Sequence, residues 1–124
     1  MILKIKTGKG SRGVLNYISA GAGQAAPTFT NMAGQTPREL AREVAALRSL
    51  RPNLGKAAAH LILAHDPNQR PLTEAEWRGA LEIALKEHGA EGVPYAAYMH
   101  EEGGGGPHLH CFLPPDRCSR ERDQ

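Results

Sequence analysis

Three of the six histidines, His100, His108 and His110, fall close together near the C-terminal end of the sequence. His108 and His110 flank Leu109, and residues two apart in a strand share a face, so the two imidazoles should project side by side. If segments 94–100 and 108–113 pair as a hairpin, His100 lies opposite His108 and three imidazoles converge on one face. Neutral imidazole ligates divalent transition metals, and three such ligands leave positions open for substrate or water. Those positions suit Lewis-acid activation of a phosphoryl oxygen, and a nearby nucleophile would turn the site to phosphoryl transfer. The candidate nucleophiles in the N-terminal half are Ser11, Tyr17, Ser19 and Ser49. Tyr17 is set among Lys9, Arg12 and Asn16, which would attract a phosphodiester, although its spacing also suits a core residue on a helix face. His60, His65 and His88 have no such company and read as surface or capped histidines.

The elements that must position these residues follow from pattern. Residues 1–6 alternate apolar and basic, as a short strand does, and the glycines from Gly8 to Gly13 break it. A short helix follows with Ser11 as N-cap and Val14, Leu15 and Ile18 on one face. Residues 20–35 have no clear period and read as a long loop. Thr36-Pro37-Arg38-Glu39 is a capping box with proline at the first helical position, opening a helix with Leu40, Val44, Leu47 and Leu50 in phase and Pro52 and Gly55 beyond. Residues 57–64 suit a buried strand, and Asp66-Pro67-Asn68 turns the chain. Thr73 and Glu76 form a second capping box, Trp77, Ala80, Leu81, Ala84 and Leu85 give that helix its apolar face, and Gly89 stops it. Strands at 94–100 and 108–113 complete an α+β domain over residues 1–113, a central antiparallel sheet flanked by α-helices. Residues 114–124 read as a polar tail.

Composition excludes several classes. The 124 residues suffice for one domain, and 40% apolar against 23% charged describes a folding chain. No stretch approaches the ~20 apolar residues of a membrane span, and the start lacks the apolar run of a secretory signal, so a cytoplasmic protein is expected. Cys111 and Cys118 make no disulfide framework and read as reduced thiols. The net charge of +2 hides an asymmetry: residues 1–60 carry nine Lys/Arg against two Glu, whereas residues 61–124 carry six basic and eleven acidic residues. A basic half points to an anionic partner such as nucleic acid, or else to a solvated surface whose charges cancel.

His108-Leu109-His110 resembles the His-hydrophobe-His signature of the HUH endonucleases, which use a metal and a tyrosine to nick single-stranded DNA. A tyrosine ahead of the histidine pair is the order of plasmid mobilization relaxases, whereas rolling-circle initiators usually place it after. Gly13-Val-Leu-Asn-Tyr17-Ile18 is similar to the relaxase tyrosine motif, and Thr30-Asn31-Met32 with Gly34, Arg38-Glu39-Leu40 and Glu43 resembles the segment after it. Lys56 with His60, Leu72-Thr73 with Trp77, and Tyr98-Met99-His100 through His110 continue the order of the MOBP-type mobilization nucleases. The resemblance, to a short form of that family, covers residues 1–113. It implies a relaxase-like fold and metal-dependent, site- and strand-specific nicking and strand transfer through a covalent 5′-phosphotyrosine at Tyr17, initiating plasmid mobilization. His100, His108 and His110 would hold Mg²⁺ or Mn²⁺, and Glu102 matches the acidic residue, often Asp, that follows the first metal histidine. Lys9, Arg12, Asn31, Arg38, Arg42 and Lys56 are the expected DNA contacts. The implied partners are single-stranded DNA at an origin of transfer and relaxosome accessory proteins, with no membrane. Ala64 stands where the family commonly has serine or threonine, and the family continues well beyond the histidine pair. Both departures favour the alternative of a weakly active or inactive DNA-binding accessory protein with this fold. A replication initiator of the same superfamily and a metal-binding protein without a nucleic-acid role are the other readings.

Overall fold

In a computed structural model, which describes residues 2–8, 11–21, 26–50, 58–100 and 106–114, the chain runs β1 (Ile2–Gly8), α1 (Ser11–Gly21), β2 (Phe29–Thr30), α2 (Pro37–Leu50), β3 (Ala58–Ala64), α3 (Glu74–Glu87), β4 (Ala96–His100) and β5 (His108–Leu113). The five strands form one sheet in the order β1-β3-β5-β4-β2, and every neighbouring pair is antiparallel. This is the α+β architecture expected from the sequence. Lys9, Lys56, Glu102 and Cys118 lie outside the described residues, as do Pro52, Gly55 and the side chains of Ser11 and Arg12. Of the expected tail, Pro114 is buried and residues 115–124 lie outside the described part.

Register determines which side chains meet. β3 is an interior strand, with β1 on one side and β5 on the other, and its residues 58–63 are all buried. A strand covered on both faces must read as a nearly continuous apolar run, and Ala-Ala-His-Leu-Ile-Leu-Ala does so except at His60. On one face Leu61, Leu63, Leu109, Cys111 and Leu113 pack with Trp77, Leu81, Ala84 and Leu85 of α3. On the other, Tyr98, Ala96 and Phe112 pack with Leu15 and Ile18 of α1 and Leu40 and Val44 of α2. Burying each such large side chain contributes about 1.5–3 kcal/mol, so the helices are held on the sheet by packing more than by their own propensity.

Both capping boxes form. Thr36 Oγ1 accepts from the Glu39 N–H at 3.1 Å while Glu39 Oε1 accepts from the Gln35 and Thr36 N–H groups. These backbone donors hold the Glu39 carboxyl below its ordinary pKa. At α3, Thr73 and Glu76 exchange the reciprocal pair of bonds, and Gly89, with φ of 79°, turns the chain just after the helix.

The expected loop at 20–35 contains the short strand β2, which a periodicity search cannot find in two residues. Tertiary contacts make it a strand: Phe29 is buried in the α3-side core, and the Arg78 guanidinium lies over its ring, 4.9 Å from the centroid. β4 starts at Ala96 and not at Pro94, because Pro94 has no N–H to offer a ladder. Beside it, side chains substitute for ladder bonds: Tyr95 N–H donates to Asn31 Oδ1 at 2.7 Å, and Thr30 Oγ1 donates to the Tyr95 carbonyl at 2.7 Å.

Candidate active site

The histidines meet on the α1 side of the sheet. His100 stands directly opposite His108 across the β4–β5 pair, and His110 lies opposite Tyr98. All three therefore share the face that the hairpin geometry demands. His110 is the centre of the group: its ring stacks on His100 with centroids 3.8 Å apart, and the His108 ring is 6.3 Å away.

A fourth histidine joins them, which corrects the expectation of a surface or capped residue. His60 is only 6% exposed, and its Nε2 is 2.7 Å from His110 Nδ1. It lies on β3 opposite Phe112, next along the same face from His110. A histidine inside an otherwise apolar buried strand was the available signal, since such a strand needs a partner for any polar group it carries. The other two histidines outside the triad are terminators or anchors: His65 Nε2–H donates to the Arg70 carbonyl at 2.8 Å, and His88 is the C-cap of α3.

Helix α1 brings the tyrosine to this cluster. Leu15 and Ile18 are fully buried, which turns Tyr17 outward, so the core-residue reading of Tyr17 does not hold: it is 68% exposed. Its ring meets that of His60 edge-on at 6.2 Å. One residue further, the Ile18 carbonyl accepts from His100 Nε2–H at 2.6 Å. Ile18 is in the last turn of α1, where carbonyls have no partner within the helix, so His100 satisfies one of them. In a neutral His100 the lone pair then sits on Nδ1. Ser19, another candidate nucleophile, is buried and donates to the Asn16 carbonyl; Ser49 is exposed near the end of α2.

As the side chains stand, no group of three or more His, Cys, Asp or Glu among the described residues is arranged to hold a metal ion. The sequence expectation of three imidazoles aimed at one point is thus met in their common face and not in their ring orientations. The His100 ring lies flat on His110 and is tied to the Ile18 carbonyl. The donor set itself suits a divalent transition metal, being imidazoles from neighbouring strands gathered around His110.

Of the expected DNA contacts, Arg38 and Arg42 are exposed on α2, the helix that shares a core with α1. Asn31 is placed elsewhere. Its amide donates to the Val93 carbonyl at 3.1 Å and accepts from Tyr95 N–H, at the end of β4 opposite from His100. The five steps from Tyr95 to His100, at about 3.3 Å each, put it about 16 Å along the strand from that histidine, and its side chain splices loop to strand. Glu43, which sequence reasoning gave no role, receives the Ala33 and Gly34 N–H groups and ties that loop to α2.

Comparison with known proteins identifies a family for most of this chain. The family model described as relaxase, MobA/VirD2-like, nuclease domain, matches residues 17–114, a span that starts at the exposed tyrosine and ends just past the histidine strand. No curated protein matches the chain.

Proposed function

This chain belongs to the MobA/VirD2-like relaxase family through its nuclease domain, a family of DNA-nicking enzymes of plasmid mobilization, and from that premise we propose that it nicks single-stranded DNA by transferring the scissile phosphate to Tyr17. The observation that carries this reading is the junction at α1: Tyr17 is exposed over His60, while the next residue, Ile18, accepts a hydrogen bond from His100. The outward phenol and the histidine cluster are therefore held together by one helix turn.

In the proposed step Tyr17 Oη bonds to phosphorus as the bond from phosphorus to the 3′-oxygen breaks. The phenolic proton is lost, the departing 3′-oxygen becomes a hydroxyl, and the protein stays linked to the 5′-phosphate. Rejoining is the same step in reverse. A divalent cation, Mg²⁺ or Mn²⁺, held by His100, His108 and His110 would polarise the scissile phosphate and offset the charge that develops on it. The chain's own part is positional. Packing of Leu15 and Ile18 orients Tyr17, and the β4–β5 register keeps the three imidazoles on the face beneath it. Arg38 and Arg42 would hold the strand by its phosphates, together with Lys9, Arg12 and Lys56 from the basic half. Glu102, two positions beyond His100 in the sequence, is retained as the acidic partner of the site on sequence alone. The proposed partners are single-stranded DNA at an origin of transfer and the accessory proteins assembled there, in the cytoplasm; no helix among the described residues is long and apolar enough to cross a membrane.

The test is incubation with Mn²⁺ or Mg²⁺ and a panel of single-stranded oligonucleotides, or a supercoiled plasmid bearing the cognate origin. A protein–DNA adduct that survives denaturant is expected for the wild type and absent in Tyr17→Phe and His108→Ala. DNA binding without any adduct would select the accessory-protein reading instead.

A further inference from the structure

His60 is the one member of the histidine cluster to which this mechanism gives no task, and it is the buried one. Its contact is specific: Nε2 of His60 lies 2.7 Å from Nδ1 of His110. A histidine that ligates through one ring nitrogen carries its proton on the other and requires an acceptor for it. For His110 the nitrogen engaged by the neighbour is Nδ1, so ligation of a cation by His110 would fall to Nε2. An isolated neutral imidazole favours the opposite tautomer, with the proton on Nε2, and that form cannot ligate through Nε2. Something must therefore hold the Nδ1 proton in place.

The sheet supplies that hold. His110 pairs with Ile62 and Phe112 pairs with His60, so the two histidines are diagonal neighbours on one face of adjacent strands. β3 is bracketed by β1 and β5, and the Tyr17 ring borders His60 from α1. The acceptor is thus seated in an interior strand of the sheet and is itself buried.

We propose that His60 is a positioning residue whose Nε2 accepts the Nδ1–H of His110 and so keeps His110 in the tautomer that presents Nε2 to a divalent cation. The inference rests on the relaxase reading above. It requires His60 to be neutral with its own proton on Nδ1, and it distinguishes acceptors from non-acceptors at position 60. Glutamate or glutamine can replace His60 in this task; leucine cannot.

The experiment uses the whole chain with ¹⁵N-labelled histidine. Long-range ¹H–¹⁵N spectra of the metal-free wild type at pH 8 should show His110 protonated at Nδ1. In His60→Leu the proton should move to Nε2, and His60→Glu should restore it to Nδ1. Titration with Mn²⁺ alone should then show a 10- to 100-fold loss of affinity in His60→Leu, recovered in His60→Glu. A wild-type His110 protonated at Nε2 overturns the inference even if the leucine variant fails to fold. So does a leucine variant with unchanged tautomer and unchanged Mn²⁺ affinity. Failure of the wild type to take up Mn²⁺ would instead contradict the metal reading, and the tautomer measurement would still decide the role of His60.

Discussion

Replacing Arg38 or Arg42 by alanine should weaken DNA binding through counterion release alone. Both side chains are exposed and stand four residues apart on α2, hence side by side on the helix surface, and outside the face through which Leu40 and Val44 enter the core. Each phosphate contact on single-stranded DNA contributes about 0.7 to the slope of log affinity against log salt. Losing one contact should flatten the slope by about 0.7, which between about 50 and 200 mM salt is a factor of roughly 2.6, or about 0.6 kcal/mol. The double variant should lose about 1.4 in slope, a factor of roughly 7. The assay is fluorescence anisotropy with labelled oligonucleotides of unrelated sequence, in a Tyr17→Phe background so that no cleavage intervenes. Both variants should weaken every oligonucleotide alike. An unchanged salt slope in both single variants and in the double, or a loss confined to one sequence, would refute the assignment of α2 as the phosphate-contacting helix.

Gly34→Ala should destabilise the fold by about 1–3 kcal/mol in a denaturant titration, because its Cβ would lie 2.9 Å from the Leu40 nitrogen and 3.0 Å from the Glu39 carbonyl carbon; Gly13→Ala, whose Cβ meets nothing within 4 Å, should be neutral or gain up to about 1 kcal/mol. The hydrogen-bonded Arg70 guanidinium, with the Thr73 N–H and side chain, lowers the Glu76 pKa to about 2 from 4.5. A carboxyl depressed on folding stabilises above its unfolded pKa and loses that contribution as pH falls, so the acid limb of stability between about pH 4.5 and 2 should flatten in Glu76→Gln; an identical limb in the variant would contradict the pairing. Burial pushes the Cys111 thiol pKa up, and in a Cys118→Ser background the native protein should resist thiol reagents until denatured, whereas prompt labelling would contradict the packing of β5 under α3.

Local chemistry carried most of the fold in the sequence. The two capping boxes, the apolar phase of α3 and the His-x-His strand each needed only neighbours within a few residues, and each forms. The α+β class followed from their alternation. What needed long-range information was missed. β2 is a strand because Phe29 reaches the core and Thr28, Thr30 and Asn31 bond to the β4 segment, contacts that composition does not announce. His60 read as a solitary histidine because its partner is fifty positions away, across a β3–β5 register that no spacing rule reveals. Asn31 carried a further signal that the sequence did not show: a motif-matching amide suggested DNA, and its two ends are bonded to the Val93 carbonyl and the Tyr95 N–H beside β4. The candidate site was legible as residue types on one face; how the imidazoles are tied to Ile18 and to one another was not.

The most direct measurement of the central claim is the identity of the residue that becomes linked to DNA. A wild-type adduct formed on an oligonucleotide with Mn²⁺ would be digested with nuclease and trypsin and read by tandem mass spectrometry. The account predicts a nucleotide joined through its 5′-phosphate to Tyr17, the only tyrosine in peptide 13–38. Linkage to any other residue, Ser49 included, would contradict it.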